Sequence, residues 1–203
     1  MPSTIVLDCD GVILDWRQGF YEWIKVWGYT AVFPPHPADY TMITACPDKT
    51  EEQIRLDMAR FNASEDFARL SFCEGAEAGV NALRAAFPTS RIVVLTAVGQ
   101  SDRTLALRRR NLAVLPIDEV ICVPLGASKR RWLETFARPG LIVEDHPDHA
   151  AEAIELGFGA ILVDRPWNRA FAHHEIERVA SWNEVVDASR RRLAGASAGK
   201  LAA

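Results

Sequence analysis

Short apolar runs rich in β-branched residues alternate with helical segments over most of this chain. Runs of this kind are typical of buried strands, and the longer amphipathic segments between them are typical of helices. The predicted strands are residues 4–7, 91–95, 120–123, 141–143 and 160–163. The predicted helices are residues 75–86, 101–110, 128–137, 146–156 and 181–192. The alternation predicts an α/β fold, a Rossmann-like three-layer core with a mainly parallel sheet.

Residues 16–72 interrupt this alternation. They begin with an aromatic stretch from Trp16 to Trp27, continue through several prolines and end with a charged helical segment at residues 50–61. We predict a small, mainly helical insertion here, with residues 1–15 and 73–192 forming the core domain. The Ala- and Gly-rich residues 193–203 offer little to bury, so we expect a disordered tail.

Composition argues against several kinds of partner. The formal net charge of −4 at pH 7 leaves no excess of Lys and Arg, so we expect no nucleic-acid polymer. The four cysteines form no C-x-x-C pair, so neither a zinc site nor a disulfide framework is expected. No stretch approaches the roughly 20 apolar residues of a membrane span, and no basic leader precedes Asp8. We therefore expect a cytoplasmic protein with no membrane partner.

Polar residues follow the predicted strands at the point where each strand ends. In an open parallel sheet the ligand crevice lies beyond the carboxyl ends of the strands, so these residues are candidates for chemistry. They are Asp8 and Asp10 after the first strand, Thr96 after the second, Lys129 after the third, and Glu144, Asp145 and Asp148 after the fourth. Carboxylates crowded at one edge repel each other unless a cation lies between them. Oxygen ligands without His or Cys favour Mg²⁺, so a Mg²⁺ site is predicted.

The same residues supply the parts of a phosphoryl-transfer site. A carboxylate can attack phosphorus to form an aspartyl-phosphate, and Asp8 suits this nucleophilic role. Asp10 suits acid/base work, first protonating the leaving oxygen and then accepting a proton from the hydrolytic water. The Lys129 ammonium and the Thr96 hydroxyl would bind the phosphoryl oxygens as the charge shifts. A small phosphorylated metabolite is therefore the expected partner.

In these features the sequence resembles the haloacid dehalogenase superfamily, in its phosphatase branch. Four motifs in the expected order carry the resemblance, which covers residues 4–163. They are Asp8-Cys9-Asp10-Gly11-Val12, Val93-Val94-Leu95-Thr96, Lys129, and Val143-Glu144-Asp145-His146-Pro147-Asp148. The resemblance implies a phosphomonoesterase with Mg²⁺ held by Asp8, the Asp10 backbone carbonyl and Asp145. Residues 16–72 lie where the superfamily places its cap, and they are termed the cap segment below.

Within the superfamily the chain is most similar to the 5'(3')-deoxyribonucleotidases. The looser likeness lies in residues 8–20, 67–77, 164–168 and 181–182, and in the Asp145-x-Pro-Asp148 spacing. It implies a (deoxy)nucleoside monophosphate as substrate and makes Trp16 a candidate for holding the nucleobase. Phe20, close to Trp16 along the chain, is a second candidate for substrate contact. Glu144 departs from the family, which has Asp there, and the extra methylene changes how this carboxylate reaches the metal, directly or through water.

Structural alternatives stand beside these assignments. Thr96 could cap the helix that begins near residue 101, and Arg130 competes with Lys129 as the phosphate-binding cation. Glu144 and Asp148 could support the metal ligands or cap a helix instead of binding the metal. The aromatic residues of the cap segment could serve only as its hydrophobic core.

Three other functions are compatible with the sequence. The chain could be a phosphatase for another small metabolite, such as a sugar phosphate or phosphoglycolate. A dehalogenase or phosphonatase is a second possibility, but those chemistries do not need an acid two residues after the nucleophile, so Asp10 argues against it. A non-catalytic phosphate- or nucleotide-binding module would keep the fold without turnover.

Overall fold

The centre of the molecule is a six-stranded sheet in which every pairing is parallel. The computed structural model describes residues 3–28, 30 and 39–199, with the backbone alone for 195–199. The strands are β1 (Thr4–Leu7), β2 (Arg91–Thr96), β3 (Glu119–Cys122), β4 (Gly140–Glu144), β5 (Gly159–Val163) and β6 (Ile176–Val179). Their order across the sheet is β3-β2-β1-β4-β5-β6. The predicted α/β, Rossmann-like fold is confirmed.

Helices cover both faces of the sheet. They are α1 (Trp16–Val26), α2 (Glu51–Asn62), α3 (Ala76–Ala86), α4 (Asp102–Asn111), α5 (Arg130–Leu133), α6 (Pro147–Glu155) and α7 (Trp182–Gly199). Helices α3 and α7 pack together over one face, and α5 and α6 pack over the other. No helix in the described ranges is long and apolar enough to cross a membrane.

The four central strands β2, β1, β4 and β5 are buried on both faces over almost their whole length, because each lies between two layers of helices. In β1, Ile5 and Leu7 point into the cluster under α3 and α7, whereas Val6 points into the cluster under α5 and α6. This alternation follows from the two-residue period of a strand. The middle of each of these four strands therefore has no polar side chain, and their polar residues gather at the strand ends.

The cap segment contributes a third hydrophobic cluster, which it shares with the core. Phe20, Phe61 and Phe67 of the cap segment pack in one buried group with Val98 and Leu107, which lie beside and on α4. Helix α2 begins at a capping box, in which the Thr50 side chain accepts from the Gln53 N–H and the Gln53 side chain accepts from the Thr50 N–H. The division of the chain into a core domain and a cap domain stays a prediction.

The chain departs from the sequence prediction at three elements. Strand β6 follows the run expected to be the last strand; it is an edge strand with two charged residues, so its pattern is weak. Helix α5 is a single turn and not the ten-residue helix expected. Helix α7 continues to Gly199, past the predicted helix end at residue 192, and Leu193 is buried in the core. The expectation of a disordered tail over residues 193–203 stays a prediction. Residues 200–203 lie outside the described residues.

Trp182 ties the start of α7 to the loop that follows β1. Its side chain is 5% exposed, and its Nε1 donates to the Val12 carbonyl at 3.0 Å. The indole also lies so close to α3 that a Cβ at Gly79 would come within 2.4 Å of Cε3. Glycine at position 79 is therefore needed for this packing.

Replacing this indole tests the connection. We expect Trp182→Phe to lower the free energy of unfolding by about 1–3 kcal/mol, because the buried Val12 carbonyl loses its donor. Urea denaturation measures the change. The matched control is Trp27→Phe, at a residue that is 63% exposed, where we expect a change within about 0.5 kcal/mol. Equal losses in the two variants would contradict the assignment.

Candidate active site

Asp8 lies at the end of the central strand, where the strand order reverses. Strand β1 pairs with β2 on one side and β4 on the other, and this arrangement opens the crevice beyond its carboxyl end. The pairing of Leu7 with Val143 continues one residue further, because the Asp8 N–H donates to the Val143 carbonyl at 2.9 Å. Asp8 therefore lies beside Glu144 at the same edge, with Thr96 ending β2 on the opposite side.

The Lys129 ammonium lies between the carboxylates of Asp8 and Glu144. Its Nζ donates to Asp8 Oδ1 and to Glu144 Oε1, each at 2.5 Å, and the residue is only 1% exposed. The alternative cation, Arg130, lies at the surface and pairs with Glu155 at 2.6 Å. Of the two neighbouring cations, Lys129 is the one that reaches the site.

The three groups differ in their affinity for protons. Burial raises the pKa of Asp8 to about 6, in spite of the neighbouring Lys129 ammonium. Burial alone would raise the pKa of Glu144 as well, but Lys129 and His149 together lower it to about 2. Burial alone would lower the pKa of Lys129, whereas Asp8 and Glu144 hold it above its usual range. Lys129 and Glu144 therefore form a fully ionised pair at neutral pH, and Asp8 titrates closest to neutrality.

Asp8, Glu144 and Asp145 form a buried acidic cluster. Their ligand oxygens lie within 4.8 Å of one another. Burial and then the neighbouring carboxylates of Asp8 and Glu144 hold the pKa of Asp145 well above its usual range. A cation among these oxygens would remove the repulsion, and a donor set made only of oxygens suits a hard cation. The cluster thus fits a divalent metal.

Gly11 allows the Asp145 carboxylate to approach the loop after β1. Its φ is +82°, and a Cβ at this position would lie 2.3 Å from Asp145 Oδ2. A side chain here would strain the backbone and displace the carboxylate. The structure therefore explains why the first motif has glycine at position 11.

Asp10 faces the same crevice, and two side chains donate hydrogen bonds to its carboxylate. Arg108 Nη2 donates to both carboxylate oxygens of Asp10 at 2.7 Å, and Thr96 Oγ1 donates to Oδ2 at 3.3 Å. Burial raises the pKa of Asp10, and the Arg108 guanidinium opposes this shift. Thr96 does not cap α4; Ser101 does, since its Oγ accepts from the Thr104 N–H at 3.0 Å.

Side chains from the last third of the chain fix the loops that carry these groups. Arg165 Nε donates to the Gly11 carbonyl at 2.8 Å. Asn168 Nδ2 donates to the Asp145 carbonyl at 2.9 Å. Trp182, at the start of α7, donates from Nε1 to the Val12 carbonyl in the loop after β1. The stretches that carry the looser family likeness thus support the acidic residues without belonging to the cluster.

A cavity of about 500 Å³ adjoins the acidic cluster. Asp10 and Asp145 line it from the core, and Trp16 lines it from the cap segment. The Trp16 indole is held in orientation because its Nε1 donates to Asn62 Oδ1 at 2.8 Å. Phe20 stacks on Trp16 at 4.8 Å but is 0% exposed. Of the two aromatic candidates Trp16 lines the cavity, whereas the Phe20 ring is enclosed in the core of the cap segment. Substrate contact by either residue stays a prediction.

Another wall of the cavity consists of residues that the sequence analysis did not identify. Tyr40 packs edge-on against His146 at 4.7 Å, and Trp167 lies nearby. The Arg17 guanidinium lies over the Trp167 ring at 4.6 Å, and its Nη1 donates to the Asp39 carbonyl at 2.8 Å. The cavity thus has aromatic and cationic groups on the side away from the sheet.

Asp148 and the two histidines lie at the rim of this cavity. Asp148 is exposed on the first turn of α6 and lies outside the acidic cluster. His149 Nδ1 lies 3.5 Å from Glu144 Oε1, and the His146 and His149 rings lie 4.7 Å apart. A supporting role for Asp148 in metal binding stays a prediction.

Solved structures share this fold. No protein-family model matches the sequence, and no curated protein does. An L-2-haloacid dehalogenase from Xanthobacter autotrophicus, with chloropropionic acid covalently bound, is 13% identical, with 94% of this chain and 99% of that chain covered at a TM-score of 0.61. A haloacid dehalogenase-like hydrolase from Streptococcus pneumoniae is 13% identical, with 92% of this chain and 97% of that chain covered, at a TM-score of 0.64. CbbY from Rhodobacter sphaeroides, in complex with phosphate, is 16% identical, with 91% of this chain and 96% of that chain covered, at a TM-score of 0.56.

These similarities are at the level of the fold. The alignments run over nearly the whole of each chain, cap segment included, at low sequence identity. The chain therefore has the fold of haloacid dehalogenase-like proteins. The neighbours include both dehalogenases and a protein solved with phosphate, so the chemistry must be argued from this chain's own residues.

The acidic cluster predicts stabilisation by Mg²⁺. We expect Mg²⁺ to raise the midpoint of thermal unfolding, and to raise it less at about pH 5 than at about pH 7.5, because protons then compete for the same carboxylates. In the metal-free protein the pH dependence of stability has the opposite sign, because the contribution of Asp8 decreases as the pH rises. The pKa of Asp8 rises from 3.8 to about 6 on folding, so its contribution to stability is lost as the pH increases across that interval.

Calorimetry with and without Mg²⁺ measures both effects. Asp145→Asn is expected to lose the Mg²⁺-dependent shift, and Glu52→Gln, at an exposed position on α2, should keep it. A shift of the same size in wild type and Asp145→Asn would rule out the cluster as the site of binding.

Proposed function

We propose that this protein is a Mg²⁺-dependent phosphomonoesterase that works through an aspartyl-phosphate on Asp8. The observation that supports this most directly is the pair of aspartates at the sheet end, one in the acidic cluster beside the cavity and one lining the cavity. Asp8 lies in the acidic cluster against Lys129, and Asp10, two residues later, lines the cavity itself. In this proposal one carboxylate attacks phosphorus and the other transfers the proton.

The reaction divides into two steps with Asp8 as nucleophile. In the first step an Asp8 oxygen bonds to phosphorus, the ester P–O bond breaks, and Asp10 gives its proton to the departing oxygen. In the second step the Asp10 carboxylate takes a proton from water, the resulting hydroxide attacks phosphorus, and the Asp8–phosphorus bond breaks. Phosphate leaves, and both aspartates return to their starting states.

The charge of the phosphoryl group is balanced by cations. The Lys129 ammonium, already in contact with Asp8, would bind a phosphoryl oxygen, and the Thr96 hydroxyl would bind another. Mg²⁺, held by Asp8, Asp145 and the Asp10 backbone carbonyl, would neutralise the remaining negative charge. Electrostatic stabilisation of this kind supplies much of the rate enhancement in phosphoryl transfer.

Asp10 favours this function over dehalogenation. Displacement of a halide from carbon needs a nucleophile but no proton for the leaving group. Here a second carboxylate lines the cavity and is fixed by Arg108 and Thr96. A group held in this way suits a leaving oxygen that must be protonated.

The preferred substrate in this proposal is a nucleoside monophosphate. The likeness to the deoxyribonucleotidases supports it, and so does the Trp16 ring, which lines the cavity in a fixed orientation. A cavity of about 500 Å³ is large enough for a ligand of this size. Sugar phosphates and phosphoglycolate are the competing substrates.

The nucleophile assignment predicts the effect of one substitution. Wild-type protein with Mg²⁺ is expected to release phosphate from a panel of 5'-mononucleotides, deoxynucleotides, sugar phosphates and phosphoglycolate. Asp8→Asn should lower kcat by more than about a thousandfold, because the amide cannot form the acyl phosphate. A colorimetric phosphate assay measures the rates.

The matched control is Asp15→Asn. Asp15 caps α1 by accepting from the Gln18 N–H, and Asn can replace it in that role, so activity should be kept. Phosphate release by Asp8→Asn at the wild-type rate would sink the mechanism. Chloride release from 2-chloropropionate, with no phosphate released from any ester, would identify a dehalogenase instead.

The substrate assignment makes a separate prediction for Trp16. Trp16→Leu should raise the KM for a nucleoside monophosphate by about 5- to 100-fold, the range expected for loss of one base–aromatic stack. The KM for a sugar phosphate should change far less. Equal increases for both substrates would mean that Trp16 only packs the cap segment. Trp27→Leu, at an exposed position on the same segment, should leave both constants unchanged.

A further inference from the structure

Arg108 is the largest fully buried side chain of the described residues, and its exposure is 0%. A buried guanidinium is rare unless it is paired, and Asp10 is the partner here, through Nη2. The other nitrogens, Nε and Nη1, have no hydrogen-bond partner among the described residues. The residue is therefore buried with only part of its hydrogen-bonding capacity used.

Such an arrangement is a poor way to stabilise a fold. Burying a charge costs free energy that a single pairing does not always recover, and an apolar side chain of similar volume is often neutral or stabilising. Unpartnered N–H groups add to the cost. A contribution to stability alone does not account for an arginine at position 108.

The position of Arg108 suggests another role, because its guanidinium fixes the orientation of the Asp10 carboxylate. One nitrogen, Nη2, lies 2.7 Å from both carboxylate oxygens, so rotation of the carboxylate in either direction would break a contact. The carboxylate oxygens still have unused lone pairs, one of which can accept a proton that the resulting carboxyl group later donates.

The guanidinium is itself held in place. Its plane lies against the Phe67 ring, with Cζ 4.2 Å from the ring centroid. Phe67 is 0% exposed, and its carbonyl accepts from Asn111 Nδ2 at 2.5 Å. Helix α4 thus carries both Arg108 and the side chain that anchors the ring behind it.

We infer that Arg108 is a positioning residue that holds Asp10 in the orientation needed for proton transfer to the leaving group. This inference rests on the proposed function, because it assigns Arg108 to the acid/base step of that reaction. Arg108 is fully buried and does not line the cavity. Its effect on the reaction passes through Asp10.

The test compares two leaving groups. p-Nitrophenolate departs without a proton, whereas an alkoxide needs the acid. kcat/KM covers the steps up to departure of the leaving group. Arg108→Met should lower kcat/KM for an alkyl phosphomonoester by about 10- to 100-fold, since misplacing a general acid forfeits much of its effect. For p-nitrophenyl phosphate the loss should be less than about threefold.

Two further variants separate positioning from a general structural role. Arg108→Lys keeps a cation near Asp10 and should recover part of the activity on the alkyl ester. In an Asp10→Asn background, Arg108→Met should cause no further loss, because the two substitutions remove the same step. Arg109→Met, at the exposed neighbouring position, is the matched control and should behave like wild type. Equal losses for both esters, or additive losses with Asp10→Asn, would overturn the inference.

A crystal structure of Arg108→Met gives an answer that does not depend on turnover. We expect the Asp10 carboxylate to rotate away from Thr96 Oγ1, and an unchanged carboxylate would overturn the inference. If the wild-type protein hydrolyses neither ester, the proposed function fails, and this structure alone decides whether Arg108 orients Asp10. The two failures are thus distinguishable.

Discussion

The site depends on one buried cation between two carboxylates. Asp8 and Glu144 end neighbouring parallel strands, and the register of those strands brings the two negative charges together. Without Lys129 the repulsion and the loss of hydration would oppose burial of both groups. Lys129 reaches them from the loop after β3, so three separate elements must be correctly packed before the charges are balanced. The acidic edge of the sheet is therefore a property of the whole core and not of any one motif.

The parts of the site that the sequence predicts are those fixed by strand geometry. Apolar runs that alternate with helices imply a parallel sheet, and a parallel sheet brings its carboxyl ends to one edge. Asp8, Thr96 and Asp145 follow from this rule, because each lies at or next to a strand end in the sequence. Lys129 lies further along the loop after β3, and only the structure separates it from Arg130. The strand at residues 176–179 escaped prediction, since its two charges and its place at the sheet edge leave little apolar signal. The extent of α7 was missed because its last turns are built of small residues.

Other groups around the cavity depend on packing that has no local signal. In the sequence Arg108 is one of three consecutive arginines on a polar helix, and only the folded structure, in which it is buried against Asp10 and Phe67, distinguishes it from Arg109. Tyr40 and Trp167 come from distant parts of the chain and meet only in the folded molecule. Phe20 and Trp16 are four residues apart on one helix, so periodicity alone could not decide which one lines the cavity. The positions of these side chains depend on how separate segments pack together, whereas the positions of the strand ends follow from the sheet itself.

Glu144 is the position where this chain departs from the deoxyribonucleotidase pattern, and the structure gives the longer side chain a use. One of its oxygens accepts from Lys129 at 2.5 Å, and the other accepts from the His146 N–H at 3.3 Å. Its carboxylate is thus engaged in holding the cation and the start of α6. The Asp145 carboxylate accepts no hydrogen bond from the described side chains, and it approaches the Asp8 loop over Gly11. Glu144 thus shares the anchoring of Lys129 with Asp8, and in the proposed site Asp145 is the carboxylate with lone pairs free to bind a metal.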